Sequence, residues 1–168
     1  MSKIADRKIS EFLEEVSSKS PTPGGGAVAA VAGAMAAYLV EMVCALTIGK
    51  KGYEKHTKAL EDDARIAKKD KVILLDLADS DVAAFDSVMA AYKLKDKKRI
   101  GSALKLAMDV PAKVVGYCME ISDIAMELVK IGNKNAVSDA QTAQALAEAA
   151  IKGAKANVKI NAEALAKL

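Results

Sequence analysis

Residues 20–48 read SPTPGGGAVAAVAGAMAAYLVEMVCALTI: two prolines and three glycines, then a long run of small apolar side chains interrupted by a single acid, Glu41. An all-round apolar segment of this length belongs in a bilayer, at the centre of a helical bundle or at a subunit interface. Alanine and glycine contribute little to insertion, Glu41 would fall toward the middle of the span, and no second segment could accompany it. The reading is therefore a buried helix over 26–48, stopped by Gly49 and Gly52, with Lys50 and Lys51 at the negative end of its dipole. No membrane association is expected.

The rest of the chain supplies partners for that helix. At 168 residues, 52% hydrophobic, 4% aromatic and without tryptophan, it reads as one domain over 1–168, with a core of small side chains that lets backbones approach closely. Ile4, Ile9, Phe12, Leu13 and Val16 predict a short amphipathic helix over 4–16. A long helix over 53–92 begins charged and acquires an apolar face of Leu74, Leu77, Ala78, Ala84, Phe85 and Val88. A basic connection, KLKDKKR at 93–99, leads to a helix ending near 109, and Pro111 suits the first turn of another running to about 131. Gly132, Asn133 and Asn135 mark a turn, and Ser138 with Gln141 has the capping-box spacing of a last helix reaching about 165. The expected fold class is all-α: a bundle of about six helices around a central alanine-rich buried helix.

Composition narrows function. A balance of 25 basic against 22 acidic residues gives +3, too weak for general nucleic-acid binding, though small anions remain possible ligands. Cys44 and Cys118 each sit in an apolar helical pattern without paired spacing, which predicts small reduced core residues rather than a zinc or dithiol site. The charged, amphipathic amino terminus is unlike a signal peptide, so a cytoplasmic location without disulfides is expected.

Chemistry is sought where polar residues fall on faces that should be buried. Asp76, Asp79 and Asp86 point away from the stripe of the third helix, whereas Asp81 lies between Leu77 and Phe85 within it. An inward carboxylate without partners is costly or holds a proton near neutrality, and either suits proton transfer. Asn157 and Asn161 share the apolar face of the last helix; they hold a polar heterocycle or form an interhelical network that fixes register. Gly24, Gly25 and Gly26, stiffened by Pro21 and Pro23, leave backbone amides open at a helix amino terminus for an anion or carbonyl oxygen, or permit tight packing. Their spacing is no Walker or dinucleotide fingerprint. Glu41 is an active-site acid or pairs with a lysine across an interface. His56, in EKHTK, reads as a solvated surface residue, and Asp139 follows Ser138 into a first turn that welcomes a carboxylate. The KLKDKKR run is a solvated connection that could attract an acidic tail on a ligand.

Three segments, PTPGGGAVAAVAGAMAAYLVEMVCALTIGKKGYE, DSDVAAFDSVMAAYKL and NAVSDAQTAQALAEAAIKGAKANVKIN, carry a resemblance in order and over nearly the whole chain. They resemble the cyclodeaminase/cyclohydrolase family, which forms the carboxy-terminal part of formiminotransferase-cyclodeaminase. The resemblance implies an all-helical homodimer in the cytoplasm, acting on tetrahydrofolate one-carbon derivatives without metal or redox cofactor. In one reaction N10 of 5-formiminotetrahydrofolate attacks the formimino carbon and ammonia leaves; in the other the methenyl bridge is hydrolysed to 10-formyltetrahydrofolate. Both pass through a tetrahedral carbon between two nitrogens and need a group that moves a proton.

By position, the family's motifs fall on Pro23 to Gly26, on Lys51 and Tyr53, on Asp81 with Phe85, on Ser138 and Asp139, and on Asn157 and Asn161. Residue chemistry then suggests Asp81 as acid/base with Asp139 assisting, Asn157 and Asn161 orienting the pterin, and the glycine turn donating backbone hydrogen bonds. Lys51 would meet a glutamate-tail carboxylate, with Tyr53 and Ser138 as further substrate contacts. The chain departs from the family where KLKDKKR replaces a leucine-proline-lysine turn, and it has no formiminotransferase part, which favours the cyclohydrolase reaction. The alternative is a non-catalytic helical dimer that binds folate or serves as a scaffold.

Overall fold

The computed structural model describes residues 3–168. Ile9–Ser17 forms α1, Gly25–Ala45 α2, Thr57–Leu94 α3, Lys97–Ile131 α4 and Val137–Ala166 α5, with short 3₁₀ turns at Ile4–Asp6, Glu54–His56 and Lys134–Ala136. The described residues contain no strand, so the architecture is all-α.

The alanine-rich segment becomes the central helix because its side chains are small enough for three neighbours to close on it. α2 packs against α3, α4 and α5 together, and Ala30, Ala34, Ala37, Val40 and Val43 are fully buried. Gly33 permits close packing against α4, since a methyl group there would overlap the Cys118 Sγ. One half of the core gathers around Leu74, Leu77, Val110 and Val114, the other around Leu60, Val43, Ile121 and Leu128. α2 is long and apolar enough to cross a bilayer, yet 56% of its most apolar window is buried inside the bundle. Its remaining face, with Val28, Met35, Tyr38 and Met42, is exposed.

Several boundaries depart from expectation, and four of them have a clear local reason; α3 also begins later, at Thr57 rather than near 53. Near the amino terminus, Ile4 lies in the first 3₁₀ turn and its N–H donates to Asp79 Oδ1 of α3 at 3.0 Å. α1 therefore begins at Ile9, and it docks through Phe12 and Val16 while Ile9 and Leu13 stay exposed. α2 ends at Ala45 rather than near 48, where Thr47 turns its hydroxyl back to the Val43 carbonyl at 2.6 Å.

The two helices expected on either side of Pro111 are one continuous α4, so the described residues form five α-helices where about six were expected. A proline inside a helix withholds the N–H that the carbonyl four residues earlier would accept. That carbonyl, on Ala107, instead accepts from Asn161 Nδ2 of α5 at 2.8 Å. At the start of α5, Ser138 and Gln141 form no capping box: the helix begins at Val137 with no side-chain cap. Asn133 organises the entry instead, its Oδ1 accepting from Asn135 N at 3.1 Å to cap the preceding 3₁₀ turn.

Candidate functional site

The site begins at the amino end of α2. Gly24 occupies the N-cap position and offers no side chain to the unsatisfied N–H groups there. The acceptor oxygen that a Ser or Asp cap would normally provide arrives from α3: Asp81 accepts from the Ala27 N–H and sits against the Gly26 Cα. A methyl group on Gly26 would overlap that carboxylate, so glycine is what lets the acid reach the helix end. Burial pushes the Asp81 pKa up from 3.8, and the Ala27 N–H opposes the shift without cancelling it.

Around this carboxyl lies a cavity of about 300 Å³. Phe85, Val88 and Tyr92 follow Asp81 along the same face of α3, Leu104 and Ala107 come from α4, and Asn157, Ile160 and Asn161 from α5. Gly24, Gly25 and Gly26 form its edge with Pro21 and Thr22. Both asparagines have their NH₂ ends engaged: Asn157 Nδ2 donates to the Gly153 carbonyl at 2.9 Å and Asn161 Nδ2 to Ala107. The carboxamide oxygens are left as acceptors. Both readings of the pair thus have substance, since Asn161 ties α5 to α4 and both residues line the cavity. An apolar slot holding one high-pKa carboxyl and two carbonyl acceptors suits a flat heterocycle bearing N–H donors.

A larger hollow of about 660 Å³ adjoins it beyond Pro21 and Thr22, beneath the amino-terminal segment. There Glu15, Asp79 and Asp86 face Lys3 and Arg7, and Arg7 pairs with Glu15. It contains neither amide nor Asp81, so the smaller cavity is the candidate.

The remaining predicted residues stand elsewhere. Tyr53 accepts from the Lys134 N–H at 3.1 Å, and Lys51 is exposed in the turn before it. Ser138 and Asp139 lie in the first turn of α5, where the Ser138 carbonyl accepts from Thr142 Oγ1 at 2.8 Å. Asp139 precedes Asn157 by eighteen residues of one helix, or about 27 Å at roughly 1.5 Å per residue. Within one subunit, Asp139 therefore does not assist Asp81, nor do Lys51, Tyr53 and Ser138 line its cavity. Glu41 pairs with Lys71 of α3, within the chain rather than across an interface, and the Lys71 Nζ lies 4.3 Å from the Tyr38 ring centroid. His56 closes a 3₁₀ turn and is half-buried rather than fully solvated. In the basic connection, Asp96 caps α4 by accepting from Lys98 N and Arg99 N at 3.0 and 3.1 Å. Cys44 and Cys118 are free and buried, their thiols pushed up to about 12 by desolvation.

Sequence reasoning found one inward carboxylate on α3; the structure has a second that is fully buried, and Asp79, expected to point outward, also buries its Oδ2 without a partner while its Oδ1 accepts from Ile4 N. Asp70 is 0% exposed, and neither of its oxygens has a donor. It faces another carboxylate, Glu120, and burial first, then that neighbour, raises its pKa. The signal was present: Asp70, Leu74, Leu77 and Asp81 follow at helical spacing on one stripe, but the dense charges of 61–71 disguised its start.

Residues 8–167 match the sequence model of the formiminotransferase-cyclodeaminase family. The chain belongs to this family. A methenyltetrahydrofolate cyclohydrolase of Methylorubrum extorquens is 40% identical over 166 residues, covering 94% of this chain and 80% of that protein. The formimidoyltransferase-cyclodeaminase of Rattus norvegicus is 29% identical over 167 residues, but the match spans only 31% of that longer protein. A crystal structure of formiminotetrahydrofolate cyclodeaminase from Thermotoga maritima superposes with a TM-score of 0.93 at 38% identity, covering 96% of this chain and 81% of that one. The Thermotoga maritima enzyme thus shares the helical fold over 96% of this chain.

Proposed function

We propose that the protein is a folate one-carbon enzyme, a methenyltetrahydrofolate cyclohydrolase that uses Asp81 to move the proton. The observation that carries this reading is the convergence of Asp81, Asn157 and Asn161 on one apolar cavity. The cyclohydrolase relative, matched over 80% of its length, supports this choice between the family's reactions. Cyclodeaminase is the second reading, favoured by the superposition on the Thermotoga maritima enzyme.

In this reading, the pterin N–H groups donate to the Asn157 and Asn161 Oδ1 atoms, which leaves the one-carbon bridge beside Asp81. The Asp81 carboxylate takes a proton from water as its oxygen bonds to the bridging carbon between N5 and N10. The same carboxyl then returns that proton to N5 as the C–N5 bond breaks, the C=O bond forms and the remaining hydroxyl proton is lost to solvent, giving the 10-formyl product. Backbone N–H groups of the glycine turn stabilise the oxygen of the tetrahedral species. The hydrolysis is redox-neutral, so the reading carries no redox cofactor. The apolar residues Val28, Val31, Met35, Tyr38 and Met42, alternating at three- and four-residue spacing on the outer face of α2, support a homodimer. Lys51, Tyr53, Ser138 and Asp139 join a site in this reading only across a subunit boundary. The proposed location is the cytoplasm.

Methenyltetrahydrofolate absorbs in the near ultraviolet. Loss of that absorbance with purified protein is the expected result, faster than the spontaneous rate. Appearance of the band from 5-formiminotetrahydrofolate instead identifies a cyclodeaminase, and no change in either assay leaves the scaffold reading.

A further inference from the structure

The continuous α4 poses a problem that its own residues do not solve. Pro111 is buried in mid-helix, and the Ala107 carbonyl therefore lacks the N–H it would accept in a regular helix. The donor comes from Asn161, fifty-four residues away on α5, at 2.8 Å. Ala107 and Asn161 both line the candidate cavity, so this repair occurs in its wall. A carboxamide has a donor end and an acceptor end that differ little in shape; a carbonyl partner accepts only from the donor end. Committing Nδ2 to Ala107 thus decides which end of Asn161 is left for a ligand.

We propose that Pro111 is a positioning residue for the folate reaction: by removing one helical N–H, it locks Asn161 with its Oδ1 as the available acceptor. The neighbouring asparagine shows the contrast. Asn157 Nδ2 bonds the Gly153 carbonyl of its own helix, an acceptor already served by the regular ladder. Asn161 alone of the pair is tied to a carbonyl with no helical donor of its own. The inference deepens the reading that this cavity takes the substrate and rests on it for its kinetic part, while its structural part stands independently.

The test is a double-mutant cycle on the purified protein, with thermal unfolding and steady-state turnover of methenyltetrahydrofolate. In the wild-type background, Asn161→Ala deprives the Ala107 carbonyl of its donor and lowers Tm. In a Pro111→Ala background the restored N–H serves that carbonyl, and the same change lowers Tm by clearly less. Additive Tm shifts overturn the pairing, whatever the enzyme binds. Kinetically, Pro111→Ala releases the Asn161 amide to turn and raises KM roughly three- to tenfold, the range one hydrogen bond spans, with a smaller change in kcat. Asn161→Ala raises KM as well, and the double variant is no worse than Asn161→Ala alone. A raised KM in Asn161→Ala with wild-type KM in Pro111→Ala overturns the positioning role. Unchanged KM in both, beside non-additive Tm shifts, overturns the substrate-site reading and keeps only the structural repair.

Discussion

The two ends of α2 are both rich in polar groups, and they use them in opposite ways. At the carboxy end, Thr47 Oγ1 donates to Val43 and accepts from Asn133 N at 3.0 Å, and Asn133 Nδ2 donates to the Leu46 carbonyl at 3.0 Å. Asn133 Oδ1 and the Tyr53 hydroxyl accept from the next two N–H groups of the connection into α5. This network closes on itself. At the amino end, by contrast, the side chains are oriented by the backbone yet keep capacity in reserve: two asparagines whose Nδ2 atoms bond backbone carbonyls and a carboxyl of raised pKa line a cavity. Buried polar residues are therefore poor markers of a site unless their hydrogen bonds are counted. A satisfied cluster stabilises; an unsatisfied one beside a cavity awaits a guest.

The largest effect should separate the two ends by activity. Asp81→Asn keeps an acceptor oxygen for the Ala27 N–H but cannot shuttle a proton, so kcat should fall on the order of a hundredfold or more while Tm changes little. The pH profile sharpens this. With its pKa raised, Asp81 serves as a base only above the ordinary carboxylate range, so kcat/KM should fall on the acid side at a pH above 3.8. That limb should vanish in the residual activity of Asp81→Asn. Full activity in the variant removes the acid/base role.

The converse experiment belongs at the closed end. Asn133 is 5% exposed, and Asn133→Ala strips the cap from the last 3₁₀ turn and leaves the Leu46 carbonyl without its side-chain donor. The expected cost is about 2 kcal/mol of stability, read by denaturant unfolding, with kcat and KM near wild type at a temperature where the variant is folded. A specific loss of turnover without loss of stability would bring the closed end into the chemistry and break the contrast.

Much of this was legible before the fold was known. The central helix, the stripe of α3 and the inward Asp81 follow from periodicity, because small apolar residues and helical spacing leave few alternatives. Asn157 and Asn161 were legible as misplaced polar groups, but their division of labour was not, because the carbonyl that commits Asn161 is created by Pro111 on another helix. Pro111 itself reads as a helix start, and only the tertiary donor makes it an interior residue. Ser138 likewise has the spacing of a cap, yet Asn133 sets the start of α5 from outside it. Resemblance grouped Lys51, Tyr53, Ser138 and Asp139 with Asp81. No local pattern reveals that a long helix separates the two groups within one subunit.

Asp70 offers the smallest effect and the finest test of the contrast, because it has unspent capacity without a ligand cavity. It is fully buried on the same face of α3 as Asp81, both oxygens lack donors, and it lines neither hollow described above. Its folded pKa is raised, so its contribution to stability is fully present below the unfolded value near 3.8 and is lost as pH rises through the folded value. At neutral pH the folded state therefore bears a penalty that the unfolded state escapes by ionising. Asp70→Asn removes the titration and supplies an amide donor to Glu120, so it should stabilise the protein by about 1 kcal/mol at pH 7. The gain should shrink as pH falls toward 4, and turnover should remain near wild type. If Asp70→Asn instead abolishes activity, an unsatisfied carboxyl matters here without an adjoining cavity, and the cavity ceases to distinguish a site from a flaw in the core.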